Sequence, residues 1–345
     1  MKIVRYSEDD FSSICSIFAR IYVRNPLLRN VEYFKWQFLR QPYNYEGLYT
    51  LWLLKEDDLI CGFYGWVPVK INANGKMKNG CEPLIWWVNA KHKFHGLQLL
   101  NRIRNENEIC LYQNCSEESQ KIFRKMKFSV FSLPRCVTIL NRKKAKEVFH
   151  NYDITQIRDF ERGDKVFDLF VVDRFTQAEN SSLQKYQNIH FHLCYTTEYL
   201  NWRYVDIPFH SYKIIKNESV GWIVYRLEKI IGSDTYILKI MEVNICQGKI
   251  GVFLQSLIRH LNNEKIIMVD FFCSAQELLD EFATVGFEII KQHTGTQIPK
   301  WYRPINRSRD LVSSIDMLKM NSVRWSQPSS WYITLGNSDI DREWD

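Results

Sequence analysis

CEPLIWWVNAKHKFHGLQLLNRIRNENE, residues 81–108, changes its period in the middle. CEPLIWWVN is a continuous apolar run, the pattern of a strand buried on both faces. GLQLLNRIRNENE then places Leu97, Leu100 and Ile103 or Arg104 at helical spacing. Between them lies the basic turn from Lys91 to His95, with Gly96 opening the helix. The start of a helix carries unsatisfied N–H groups and a positive dipole end, so such a turn suits an anion.

Working outward, LYTLWLLKEDDLICGFYGWVPVKINANGKMK (48–78) reads as paired strands, with breakers at Glu56 to Asp58 and a second turn at Asn72 to Gly75. EICLYQN (108–114) is a further strand. SEESQKIFRKMKF (116–128) reads as a helix with Ser116 as N-cap and Glu117 and Glu118 in its first turn. Ser119 stands where a full capping box requires Glu or Gln. The order is helix, antiparallel strands, strand, helix, strand, helix, strand.

That order occurs twice. EYFKWQFLRQPYN (32–44) is echoed by EYLNWRYVDIPFH (198–210), and CGFYGWVPVKI (61–71) by VGWIVYRLEKI (220–230). Val88-Asn89 recurs as Val243-Asn244, with Gly96 and Gly251 each ahead of a helical stretch. NCSEESQKIFRKMKFSVF (114–131) matches CSAQELLDEFATVGFEII (273–290), Phe128 against Phe287. Four correspondences in one order predict a duplicated domain, residues 1–145 and 146–345. Trp36 and Trp202 recur as core anchors, whereas Arg203 faces Gln37 in the first copy.

The composition is that of a globular chain: 345 residues, 46% hydrophobic and 25% charged. Eleven Trp, eighteen Tyr and twenty-one Phe against fourteen Gly point to filled sheet and helix layers rather than glycine-rich loops. Nine Cys show neither zinc-ligand spacing nor a disulfide framework, which predicts reduced thiols and no metal. The start of the chain runs into acidic residues, and no apolar stretch approaches the roughly 18 residues of a membrane span. The expected setting is the cytoplasm, without membrane insertion. The net charge of +7 is clustered at 91–95 and 141–147, as a solvated face or a phosphate contact would be.

WWVNAKHKFHGLQLLNRI and SEESQKIFRKMKFSVF, in this order of elements, resemble the GNAT acyltransferase superfamily, here as a tandem pair. EYLNWRY followed by Pro208, and the terminal WYITLGNSDIDR, look like the two-domain GNAT proteins of bacterial polysaccharide pathways, of the anthrose-pathway sugar N-acyltransferase type. The resemblance implies an α/β (α+β) fold of two GNAT-like domains, each a mixed, mostly antiparallel central sheet flanked by helices. It implies an N-acyltransferase that moves an acyl group from acyl-CoA to the amine of a nucleotide-linked amino-deoxy sugar.

The GNAT phosphate-binding motif, Q/R-x-x-G-x-G/A, falls on Lys93 to Gln98, so Lys93, His95, Gly96, Leu97 and Gln98 are the expected coenzyme A contacts. Gln98 replaces the last small residue. In the second copy Gln247, Gly248 and Gly251 fit the motif less well, or simply shape a turn. Backbone groups around Val88 and Asn89 would hold the thioester, and Glu82, His92 and His95 are the candidate bases. Phe123 falls where the family often has a proton-donating Tyr. Arg203, Asp339, Asp341 and Arg342 are the expected acceptor contacts, from the second copy and the tail. Two other readings compete: a non-catalytic module that binds sugar nucleotides or nucleic acid, and a transferase that uses aminoacyl-tRNA on a cell-wall precursor.

Overall fold

The computed structural model describes residues 1–23, 25–176, 186–290, 299, 301–302, 305–306, 312–316 and 327–338. The N-terminal half runs β1 (Lys2–Arg5), α1 (Phe11–Ile21), α2 (Val31–Phe38), β2 (Leu51–Glu56), β3 (Leu59–Ala73) and β4 (Lys76–Val88). It continues through α3 (Gly96–Glu106), β5 (Ile109–Tyr112), α4 (Glu117–Lys125), β6 (Ser129–Ser132), β7 (Arg135–Ile139) and α5 (Arg142–Val148). The C-terminal half repeats the plan with β8 (Phe170–Val172), β9 (Phe191–Leu193), α6 (Thr197–Tyr204), β10 (Lys213–Asn217), β11 (Gly221–Lys229) and β12 (Tyr236–Ile245). Then come α7 (Ile250–Leu261), β13 (Ile266–Phe272), α8 (Gln276–Ala283), β14 (Glu288–Ile290), β15 (Trp301–Tyr302), β16 (Ile305–Asn306), β17 (Val312–Asp316) and β18 (Trp331–Tyr332).

Local chemistry accounts for these elements. Asp57 (φ 52°) turns the chain between β2 and β3, and Asn74 and Gly75 (φ 53° and 80°) close the long β3–β4 hairpin, both turns at the breakers read from the sequence. Ile14, Ile17 and Phe18 form the buried stripe of α1. Asn30 caps α2 by accepting from the N–H groups of Glu32 and Tyr33, and Thr196 caps α6 by accepting from that of Tyr199. Trp202, Arg203 and Tyr204 lie inside α6 rather than after it, and from Tyr199 to Tyr204 every residue is buried. The helix is enclosed on all sides because it meets α2, its counterpart, between the two halves.

The first sheet has the order β1-β2-β3-β4-β5-β17-β6, with β9 added to the far end of β3 and β18 to β9; the second is β14-β7-β13-β12-β11-β10-β8. The N-terminal half therefore gives one strand, β7, to the second sheet, and the C-terminal half gives β9, β17 and β18 to the first. β7 of the N-terminal half inserts between β13 and β14, and β17 of the C-terminal half inserts between β5 and β6. Buried ion pairs fasten both strands. Arg135 on β7 forks onto Asp270 of β13 at 2.7 and 2.9 Å, and Asp316 on β17 takes Arg104 of α3 at 2.5 and 3.3 Å.

Both central hairpins carry a bulge, after Gly65 in one and after Val224 in the other. The two bulges register Val88, opposite Gly62, with Ile245, opposite Gly221. Val88-Asn89 is thus displaced from the Val243-Asn244 match read in the sequence. The turn before α7 is shorter than the one before α3, so matching the two glycines at the helix starts slides the strands out of register.

Candidate functional site

Parallel pairing of β4 with β5 stops after Gly80–Ile109 and Cys81–Cys110. Beyond it Pro83, which has no N–H to offer, and the bulge at Leu84 interrupt β4, and the two strands part. The wedge between them holds a cleft of about 590 Å³. Leu84, Ile85 and Trp86 form one wall, Tyr112 to Ser116 the other, and Ser119 and Phe123 of α4 with Ile21, Tyr22, Val23, Asn25 and Leu28 complete it. Ser116 caps α4 as expected, its hydroxyl accepting from the Ser119 N–H at 3.1 Å.

No Asp, Glu, His, Lys or Arg is among the described residues lining this cleft. Its polarity is neutral: Asn25 Oδ1, the Tyr112 hydroxyl and Gln113 Nε2 are buried, line the cleft and have no hydrogen-bond partner among the described residues. Burial pushes the Tyr64 and Tyr112 hydroxyls well above the ordinary range, so both remain protonated. Unpaired buried polar groups cost stability unless a ligand or water satisfies them. The sequence reading missed all three; the only signal for Tyr112 and Gln113 is the polar end of the apolar run EICLYQN. Phe123 faces the cleft and packs on Tyr112, ring centroids 4.4 Å apart, and it brings no hydroxyl.

The basic turn lies beyond Trp86. Asn89 caps it, its Oδ1 accepting from the Lys91 N–H, and the Asn89 N–H donates to the Cys61 carbonyl at 2.8 Å. That N–H is therefore already engaged, and Val88 pairs with Gly62. Lys93, Phe94, Leu97 and Gln98 are exposed, His95 contacts Gln98 (Nδ1 to Oε1, 3.0 Å), and Gly96 is buried at the start of α3. A Cβ on Gly96 would meet Val88 and Trp86 at ordinary contact distances, 3.4 and 3.5 Å, so protein packing alone does not demand glycine there. Glu82 is buried away from the cleft and accepts from the Tyr199 hydroxyl of α6 at 3.4 Å. His92 Nε2 lies 3.7 Å from Glu56.

The corresponding wedge of the C-terminal half is filled by the chain itself. Residues 331–335 run along the end of β13: the Ser274 N–H donates to the Ile333 carbonyl, and Cys273 bridges Thr334. The Tyr332 hydroxyl accepts from the Val243 N–H at 3.0 Å and reaches the Val243 carbonyl at 2.8 Å, occupying the backbone of β12 at that point. It also meets Glu242, whose carboxyl is ringed by Tyr195, Tyr204 and Thr334 at 2.9, 3.2 and 3.1 Å. Burial pushes Glu242 up to about 7, against the hydrogen bonds of those hydroxyls. The glycines here have structural duties: Gly248 (φ 75°) gives its N–H to Glu281, and a Cβ on Gly251 would come within 2.8 Å of Val285.

Arg203 is buried in α6. Its Nε and Nη2 donate to the carbonyls of Gly336 and Ser338 at 3.0 Å each, tying down the segment that fills the second wedge. Asp339, Asp341 and Arg342 lie outside the described residues.

No protein-family model matches the sequence, and no curated protein matches it. Solved structures do share the fold. A conserved protein of unknown function from Enterococcus faecalis V583, described as a probable N-acyltransferase, superposes with a TM-score of 0.58 at 9% identity, over 92% of this chain and 73% of its own. A GCN5-related N-acetyltransferase from Anabaena variabilis ATCC 29413 gives 0.57 at 13% identity, over 92% and 72%. The fold shared with these two structures is mixed α/β, two mostly antiparallel sheets flanked by helices. Among the described residues no helix is long and apolar enough to cross a membrane.

Proposed function

We propose that the chain is an acyl-CoA-dependent N-acyltransferase whose thioester lies in the N-terminal wedge, along β4. One observation carries this reading: the wedge between β4 and β5 is open and lined by unpaired neutral polar groups, while its counterpart is closed by Tyr332 and the segment around it. An extended chain of amides could add to the open edge of β4 as a strand would. Because the Asn89 N–H is engaged, the thioester contact falls to the backbone of Leu84 to Trp86, just past the bulge. Lys93 and the N–H groups at Gly96 to Gln98 would meet the pyrophosphate.

In the transfer step the amine nitrogen attacks the thioester carbonyl carbon. The C–N bond forms, the C–S bond breaks, and the proton leaves with the departing sulfur. A cleft whose described lining residues include no charged side chain fits an amine that arrives neutral and is positioned, not deprotonated by a strong base. Glu82, His92 and His95, the bases named from the sequence, stand outside that cleft wall.

The acceptor in this reading is a nucleotide-linked amino-deoxy sugar, dTDP-linked, of cytoplasmic surface-polysaccharide biosynthesis. Its support is the likeness of EYLNWRY-Pro208 and the terminal segment to sugar N-acyltransferases. Arg203 then acts as a positioning residue, holding the tail that leads to Asp339, Asp341 and Arg342. The neutral cleft also favours a second reading, a module that binds acyl-CoA without turnover. Mass spectrometry of acetyl-CoA incubated with dTDP-amino sugars and the protein decides between them: an N-acylated product supports the enzyme, and acyl-CoA binding without product across those acceptors supports the module.

A further inference from the structure

Glu56, Cys61 and His92 come from three places in the chain: the end of β2, the start of β3 and the turn ahead of α3. Their donor atoms all lie within 4.8 Å of one another. The hairpin explains the first two. Glu56 pairs across the strands with Leu59, and Cys61, two residues further along β3, returns to the same face at the point where the register shifts. The turn explains the third. The Asn89 N–H donates to the Cys61 carbonyl and the His92 N–H to the Asn89 carbonyl, both at 2.8 Å, so the backbone that carries His92 is fastened to the backbone that carries Cys61.

We propose that these three side chains form a zinc site that clamps the β2–β3 hairpin to the turn ahead of α3. A thiolate, an imidazole and a carboxylate are the donor set of zinc rather than of magnesium or calcium, with a water completing the tetrahedron. Bonds of about 2.0 to 2.3 Å place tetrahedral ligand atoms roughly 3.3 Å apart for the nitrogen–oxygen pair and about 3.6 Å for a pair that includes the sulfur. The 3.7 Å between His92 and Glu56 is a few tenths of an ångström, roughly 0.4 Å, wider than that pair requires. The remaining gap closes by rotation of Glu56, whose side chain is 53% exposed, onto the buried Cys61 sulfur. On binding, the Cys61 thiol gives its proton to solvent as the Zn–S bond forms. The clamp would stiffen the backbone that presents Gly96 and the N–H groups of α3. It does not depend on the transfer reaction.

The experiment is metal titration of the full chain carrying Cys15→Ser and Cys246→Ser, which removes the half-buried thiols outside the cluster. Zinc is measured by competition with a chromophoric chelator, and cobalt by its absorption spectrum. The expected result is one equivalent of zinc, and a cobalt complex with a thiolate-to-metal charge-transfer band that Cys61→Ser abolishes. Glu56→Gln and His92→Asn should each weaken zinc by at least about tenfold; the exposed Glu56 variant also guards against a folding artefact at Cys61. Absence of stoichiometric binding, or a charge-transfer band unchanged in Cys61→Ser, overturns the site.

Discussion

Trp36 and Trp202 lie one upon the other, ring centroids 4.8 Å apart and planes 17° from parallel, and each indole N–H donates to the other's backbone carbonyl, at 2.8 and 3.1 Å. The two copies of the repeated phrase thus recognise each other. A residue that recurs in the sequence is at once an anchor of its own half and the partner of its twin.

This reciprocity sets a stability expectation. Trp36→Phe and Trp202→Phe each remove one donor to a buried carbonyl, at a cost of about 1 to 3 kcal/mol. Because both changes break the same stacked pair, the double variant should lose less than the sum. Urea denaturation of the four proteins checks this; strict additivity would mean that the two rings act independently.

Glu242 supplies a pH dependence. Its folded value, about 7, lies above its ordinary 4.5. Between the two the folded chain holds a proton that the unfolded chain has released, so stability falls as pH rises through that window and levels off above it. The fall attributable to Glu242 is on the order of a few kcal/mol. Glu242→Gln, which keeps the shape without the titration, should flatten this part of the profile. Parallel profiles for parent and variant would remove Glu242 from the account.

The exchanged strands give a third expectation. Arg135 and Asp270 are each 1% exposed, whereas Arg104 and Asp316 are 14% and 8% exposed. Arg135→Met leaves a carboxylate buried without its charge partner and should cost roughly 3 to 5 kcal/mol. Arg104→Met should cost less, because water can reach that pair. Thermal unfolding of both variants tests the order, and a larger loss for Arg104→Met would reverse the assignment of which lock is the drier.

Much of this architecture was legible in the sequence. Asn74-Gly75 marked its hairpin, Ser116 its helix cap, and the apolar run before Lys91 its strand, because each is fixed by neighbours along the chain. The strand exchange was not legible, since nothing along β7 (RCVTI) or β17 (VSSID) marks which sheet receives it. Arg203 read as an acceptor contact because burial of an arginine depends on carbonyls far away, those of Gly336 and Ser338. The closure of one wedge by Tyr332 and the neutral lining of the other are likewise long-range. Asn25, Tyr112 and Gln113 become neighbours only when α1, β5 and α4 pack.

The central claim is that acyl-CoA occupies the N-terminal wedge and that one alone. Ser119 lines that cleft from the first turn of α4, so Ser119→Phe fills it. Calorimetric titration of acetyl-CoA into the parent and into Ser119→Phe, with circular dichroism showing that the variant is folded, tests the claim directly. The account predicts one equivalent bound by the parent and an affinity at least about tenfold weaker, some 1.4 kcal/mol, in the variant. Equal affinity in the two proteins, or two equivalents bound by the parent, would contradict it.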